Sequence, residues 1–258
     1  MSSLQGLPIL RELVPEGLLY GGTYLIEFEP HSLWFETSFT LANYALGQGI
    51  KTQYHTFMRS LDEIRNSLRK LGLDVSRLEQ EKTLFFLDSY TVTTGLALAE
   101  HPETPTNRSV NLSEWGESIV KEFKEGATKA IEHLHIDDDL SVLLQYNDER
   151  VFIEWWRTKL IPAARANNSV GLHPVVTGVA SEAFYKQVES SSDGIIDFRS
   201  REESGRVEQY MRVRMMRNTT CDSSWRRLRL LGTGEVVIDA DQKTGELGIS
   251  SWIKGKRE

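Results

Sequence analysis

Gly22-Thr23-Tyr24-Leu25-Ile26-Glu27-Phe28-Glu29-Pro30-His31-Ser32-Leu33-Trp34-Phe35-Glu36-Thr37 is the stretch on which the fold turns. Its first half, a β-branched and aromatic run behind a Gly-Gly turn, reads as a buried strand. Beyond Pro30, Phe39, Leu41, Ala42, Ala45 and Leu46 recur at helical spacing over Glu36 to Leu46, with Gly47 and Gly49 as a stop. Strand, tight turn and helix in that order open an α/β sheet, where ligands gather at the carboxyl ends of the strands and the first turn is the usual phosphate cradle. A cradle needs glycines so that backbone N–H groups converge, a lysine for the β/γ-phosphates and a Ser or Thr for magnesium. The turn Glu29, Pro30, His31, Ser32, Leu33, Trp34, Phe35 has neither glycine nor lysine, and Glu29 and Glu36 set carboxylates where a polyanion would come. From its residues alone, the turn repels phosphate and reads as a packed structural turn.

Working outward, Thr52 to Phe57 is a second strand. Ser60 to Gly72 is the clearest helix: Ser60 and Glu63 form a capping box, Leu61, Ile64, Leu68 and Leu71 make one stripe, and Gly72 suits the left-handed C′ position. Thr83 to Asp88 is a strand apolar on both faces, as strands covered on both sides are. A helix runs on from Asn111 with Trp115, Ile119 and Phe123; Ile131 to Asp137 is a strand competing with helix propensity; Arg150 to Ala166 is a helix and Leu172 to Val179 a strand. After Asp193, Ile195 to Arg201 and Val207 to Met216 make a hairpin through Glu202-Glu203-Ser204-Gly205, followed by strands at Trp225 to Leu231, Val236 to Ile238 and Leu247 to Trp252. The fold class is therefore α/β: a doubly wound, mostly parallel sheet flanked by helices, with an antiparallel C-terminal strand extension. One domain covers 1–258, divided into an N-terminal lead-in (1–15), an α/β core (16–192) and a β-rich extension (193–258).

The 258 residues are 40% hydrophobic and 26% charged, ordinary globular usage that excludes disorder and coiled coil. Lys+Arg of 30 against Asp+Glu of 37 gives a net charge of −7, a poor balance for coating nucleic acid or an anionic membrane. Cys221 is the single cysteine, so no internal disulfide forms. Met1 to Gly6 lacks a basic and apolar leader pattern, and no stretch is long and apolar enough to span a bilayer, so a soluble, cytoplasmic protein with no membrane partner is expected.

Several segments together resemble the KaiC-like branch of the RecA superfamily of archaeal and bacterial ATPases. Leu13-Val14-Pro15-Glu16-Gly17 leading into the first strand is similar to that family's Gly-Ile-Pro-x-Gly entry. Tyr54 to Arg65 is similar to its second strand, paired glutamates and Ser-Pro-Glu-Glu-Ile-Arg helix start. Leu71-Gly72-Leu73-Asp74 and Thr83 to Tyr90 match the next helix end and strand, Asp138-Asp139-Leu140-Ser141 resembles its Walker B segment, and Tyr210 to Thr219 resembles its terminal strand. The resemblance implies a RecA-like P-loop fold with a degenerate Walker A turn. Aligned without a gap, Trp34 stands at the Walker lysine, Phe35 at the magnesium threonine, Met58 and Arg59 at the water-polarising glutamates, and Met215 at the lysine that reaches a neighbouring subunit; Arg217 keeps the adjoining arginine. No catalytic residue and no ATP or magnesium cofactor are expected.

Asp138 is the Walker B-like position, but without phosphates Mg²⁺ lacks its usual co-ligands there. His133 and His135 share one side of a strand with no carboxylate or third histidine at ligand spacing, so no metal is expected. Arg206, Arg212, Arg214, Arg217, Arg226, Arg227 and Arg229 crowd one acidic chain's C-terminal part. Arg212, Arg214 and Arg217 suit either a subunit interface, where guanidinium forks meet carboxylates, or a single-strand groove. The resemblance puts this strand at the subunit junction and favours the interface. The expected function is a regulatory or scaffolding pseudo-ATPase acting in signal transduction through homo-oligomers or an intact RecA/KaiC-like relative. The alternatives are a DNA-recombination accessory that binds single strands, and an ATP-binding protein with an atypical loop.

Overall fold

β3 (Thr23–Phe28) is buried at every position because it lies inside the sheet, flanked on both sides by strands running its own way. In the computed structural model the described residues are 2–94, 110–114, 131–203 and 205–239. Two short strands, β1 (Ser3–Leu4) and β2 (Leu18–Leu19), precede β3. Then follow α1 (Trp34–Gly47), β4 (Lys51–Thr56), α2 (Leu61–Lys70), α3 (Val75–Gln80), β5 (Leu84–Asp88), α4 (Tyr90–Thr94) and β6 (His133–Asp137). After a 3₁₀ turn (Leu140–Gln145) come α5 (Glu149–Trp155), a π-helical stretch (Trp156–Leu160), α6 (Ile161–Asn167), β7 (Ser169–Val176), α7 (Glu182–Ser191), β8 (Gly194–Glu203), β9 (Arg206–Met216), β10 (Arg226–Leu230) and β11 (Val236–Ile238).

Among the described residues the main sheet has nine strands in the order β11-β10-β9-β8-β3-β7-β6-β4-β5. From β5 to β8 every pairing is parallel; from β8 through β9 and β10 to β11 every pairing is antiparallel. Strand alternation splits the core in two. Tyr24, Ile26 and Phe28 pack with α1 and α2, while Leu25 and Val175 pack with Trp156, Phe152 and Phe184 on the opposite face.

The capping box forms: Glu63 N–H donates to Ser60 Oγ and Ser60 N–H to Glu63 Oε2, and Gly72 takes φ +91° past the helix end. The segment expected as one helix over Arg150 to Ala166 is helical from Glu149 to Asn167 but passes through the π stretch. Pro162 lies just beyond it, where a missing N–H and a ring clash disfavour the regular i→i−4 ladder. β7 starts at Ser169, earlier than the expected Leu172, and ends at Val176, before Gly178 at φ +85°. Its Gly171 is not a break. A Cβ there would stand 2.2 Å from His173 Nε2, so the residue is small because the imidazole leans over it. The helix continuing from Asn111 and the strand Leu247 to Trp252 lie outside the described residues, apart from the first turn of the former. No helix among the described residues is long and apolar enough to cross a membrane.

Candidate functional site

The β3–α1 turn closes on itself. Ser32 N–H and its hydroxyl both donate to the Glu29 carbonyl, at 2.9 and 2.7 Å. Glu29 ties the turn to β8: its N–H donates to the Phe198 carbonyl at 3.1 Å, and its Oε2 accepts from Ser200 N–H at 2.8 Å. Gln209 Nε2 on β9 donates to the His31 carbonyl at 3.0 Å. Leu33 caps α1 without a side-chain hydrogen bond. Trp34, first residue of the helix, is fully buried, edge-on to Phe198 with centroids 5.5 Å apart, and its indole N–H donates to the Asp138 carbonyl at 2.9 Å. The cavity beside it, lined by Ile26, Thr37, Leu172 and Met211 among others, measures about 10 Å³, room for at most one water. Phe35 stands edge-on to Phe28 at 5.8 Å, with the Arg59 guanidinium 4.3 Å over its ring.

Asp138 follows β6 and is sealed from solvent. Its Oδ1 accepts from Phe57 N–H and Asp139 N–H, each at 2.7 Å; its Oδ2 accepts from Thr56 Oγ1 at 2.9 Å and Met58 N–H at 3.1 Å. Burial pushes its carboxyl up to about 7, against the pull of those donors. Asp138 therefore pins the turn between β4 and α2, the turn that carries Met58 and Arg59. Asp139 accepts from Ser141 N–H at 2.8 Å and caps the 3₁₀ turn, and Asp137 points to the other side of the sheet. The three neighbouring aspartates thus do three separate jobs.

β9, which carries Arg212 and Arg214, is not an edge strand: it lies between β8 and β10. Arg212 Nε meets Asp197 Oδ2 at 2.6 Å and stacks 4.6 Å over Trp225. Arg214 pairs with Asp197, Glu189 and, at 2.7 Å, Glu27. Arg217 donates to the carbonyls of Ser190 and Ser192. Burial first, and then the Glu189 carboxyl, push Glu27 up to about 7 although Arg214 opposes this.

On the same face as this network, the fold brings together residues that sequence spacing left apart. Asp137 lies opposite His55 in the β4–β6 register, with His135 two residues before it and His173 on β7. His55 Nδ1 is 3.2 Å and His135 Nε2 3.1 Å from Asp137 Oδ1, while His173 Nδ1 is 2.6 Å from Oδ2. The outer ring atoms are also held: His55 Nε2 by Ser89 Oγ at 2.8 Å and His135 Nδ1 by Gln53 Oε1 at 2.8 Å. Burial works against the Asp137 charge, but the three imidazoles outweigh it and hold the carboxyl well below its usual range. Burial pulls His55 and His173 down, against Asp137. His133 takes no part; its Nδ1 turns to the Ile131 carbonyl. The expectation that no carboxylate or third histidine stands at ligand spacing from His135 is thus corrected: Asp137 lies two residues along the same strand, and His55 and His173 come from the two neighbouring ones. The available signal was a histidine on each of three strands read as part of one sheet, with Asp137 two residues after His135.

The model of the KaiC ATPase family matches residues 35–242, most of the chain, starting one residue past Trp34. A KaiC-like protein from the hyperthermophilic archaeon Pyrococcus horikoshii OT3 superposes with a TM-score of 0.68 over 91% of this chain and 96% of that one, at 16% identity. That likeness is one of fold. No protein of curated function matches the sequence.

Proposed function

Because this chain belongs to the KaiC ATPase family, we propose that it is a regulatory or scaffolding member in which nucleotide hydrolysis has been lost. Trp34 carries the proposal. At the position the resemblance assigns to the phosphate-binding lysine stands an indole that is fully buried and hydrogen-bonded to the Asp138 carbonyl. Mg-ATP does not fit the residues around it. Ser32 N–H is turned onto Glu29, both Asp138 oxygens are saturated by the β4–α2 turn, and Glu29 adds negative charge beside an already negative ligand. Phosphoryl transfer rests on preorganised donors and cations, so their loss together removes turnover, not merely some affinity.

A protein without its own chemistry acts by binding, and we assign it association with copies of itself or with an intact relative. Met58, Tyr146 and Val179 support this: each is about half exposed in the connections that follow β4, β6 and β7. The single-strand DNA alternative needs free guanidiniums, whereas Arg212, Arg214 and Arg217 are engaged within the chain. Isothermal titration against Mg-ATP with a phosphate-release assay tests the proposal. Neither heat of binding at micromolar nucleotide nor phosphate release is expected, and micromolar binding with turnover overturns it. Light scattering at low and high salt tests the assembly, which a strictly monomeric mass at high concentration would refute.

A further inference from the structure

We propose that His55, His135 and Asp137 form a binding site for one divalent transition-metal ion of the zinc class, oriented by Ser89, Gln53 and His173. The site lies on the sheet face opposite α1, away from the β3–α1 turn, and is independent of the nucleotide question. Its donor atoms, one from each residue, all lie within 4.8 Å of one another. For bonds of about 2.0–2.2 Å, tetrahedral donors stand about 3.3–3.6 Å apart; the two imidazole nitrogens approach Asp137 Oδ1 at 3.2 and 3.1 Å. Two imidazoles and a carboxylate are the borderline donor set that zinc, cobalt and iron(II) prefer over magnesium or calcium.

The surrounding shell is what a metal site requires. Ligating imidazoles are fixed by a partner on the other ring nitrogen, and ligating carboxylates by a donor on the other oxygen. Here Gln53 Oε1 faces His135 Nδ1, Ser89 Oγ faces His55 Nε2, and His173 Nδ1 faces Asp137 Oδ2. With Gln53 Oε1 accepting, the His135 proton sits on Nδ1 and the Nε2 lone pair faces a carboxylate oxygen. A cation seated between that nitrogen and Asp137 Oδ1 takes both as ligands. A direct His135–Asp137 hydrogen bond is the competing arrangement. His135 is the route in: its side chain is 16% exposed, whereas those of Asp137 and His55 are sealed. The bound ion would clamp β4 to β6, two adjacent strands of the sheet.

The test uses the full, untagged chain, stripped with EDTA and titrated with Zn²⁺ by calorimetry and with Co²⁺ by visible absorption. One equivalent is expected, with d–d bands of a low-coordinate nitrogen and oxygen site and a thermal midpoint raised by roughly 5 °C or more at a hundredfold excess over Kd. His135→Ala should abolish uptake, Gln53→Ala should weaken it about 10- to 100-fold, and His133→Ala should leave it unchanged. If His135→Ala fails to fold, Gln53→Ala decides. No uptake by the folded wild-type chain, or uptake that survives both variants, overturns the proposal in favour of a direct His135–Asp137 hydrogen bond.

Discussion

Replacing Trp34 with lysine, the residue an active relative is expected to carry there, separates a vacated pocket from a filled core. Trp34 is fully buried against Phe28 and Phe198, and its indole satisfies the Asp138 carbonyl. Trp34→Ala removes the whole ring, for which buried aromatic truncations cost about 3–5 kcal/mol. The lost indole donor adds about 1 kcal/mol within that range of context. Trp34→Phe keeps most of the ring and loses the donor, for an expected cost of about 1–2 kcal/mol. Trp34→Lys loses the same packing and places an ammonium among aromatic rings, so its cost should reach or exceed that of alanine. Against a total stability of about 5–15 kcal/mol, that leaves a marginal fold at best. Urea denaturation followed by far-UV circular dichroism reads the series, since the other tryptophans confuse fluorescence. A Trp34→Lys protein within about 0.5 kcal/mol of wild type, or one that gains micromolar Mg-ATP binding, would show that the lysine's space still exists and refute the reasoning.

Asp138→Asn should cost about 2–4 kcal/mol, because its amide would face N–H or hydroxyl donors on one side; unchanged urea stability would mean the carboxylate is not a structural pin. Glu27, pushed up to about 7, holds a proton in the folded state that the unfolded chain releases at lower pH, so its contribution is complete in acid and lost as pH rises through about 7. Glu27→Gln should therefore flatten the stability profile between about pH 5 and 8 by about 2–3 kcal/mol, and an unaltered slope in urea melts at several pH values counts against it. Arg212→Ala with Arg214→Ala strands the buried Asp197 charge and should destabilise by about 3–5 kcal/mol. Single-stranded DNA should stay in the non-specific range of about 10⁻⁴–10⁻⁶ M for wild type and variant alike, and sub-micromolar anisotropy lost in the variant would favour the recombination alternative.

Local chemistry was legible where the partner lies within one turn. Ser60 and Glu63 sit three apart and make their box; Gly72 takes the positive φ its position requires. The alternation of strand and helix, and its change to antiparallel strands past Asp193, also follow from periodicity that short segments carry. What the segments do not carry is who lies beside whom. Arg212 and Arg214 read as interface or groove residues because their partners within the chain are not near them in sequence. Their carboxylates come from β3, β8 and α7. His55, His135 and His173 lie on three strands, far apart in the chain and adjacent only in the folded sheet. The strand expected from Leu172 begins earlier, at Ser169, and takes in Gly171, where the imidazole that fills the missing side chain becomes visible only in the folded sheet.

The polar residues of this face also bear on why the sheet has one register. Strands covered by helices on both faces are usually apolar throughout, with no alternation of apolar and polar residues to mark one face from the other. Here Glu27 stands opposite Asp197 and Asp197 opposite Arg212, while His55 stands opposite Asp137. A slip of one residue in β6 would turn Leu134 and Ile136 out of the α1 face, carry Asp137 into it beside Tyr54 and Leu172, and leave three imidazoles without their acceptor. Buried charges of this kind add little net stability compared with apolar replacements of the same shape, but removing one partner is costly. Their effect is to make every alternative register expensive. In a sheet whose β3–α1 turn packs around Trp34, these buried polar pairs fix which residues of neighbouring strands face each other.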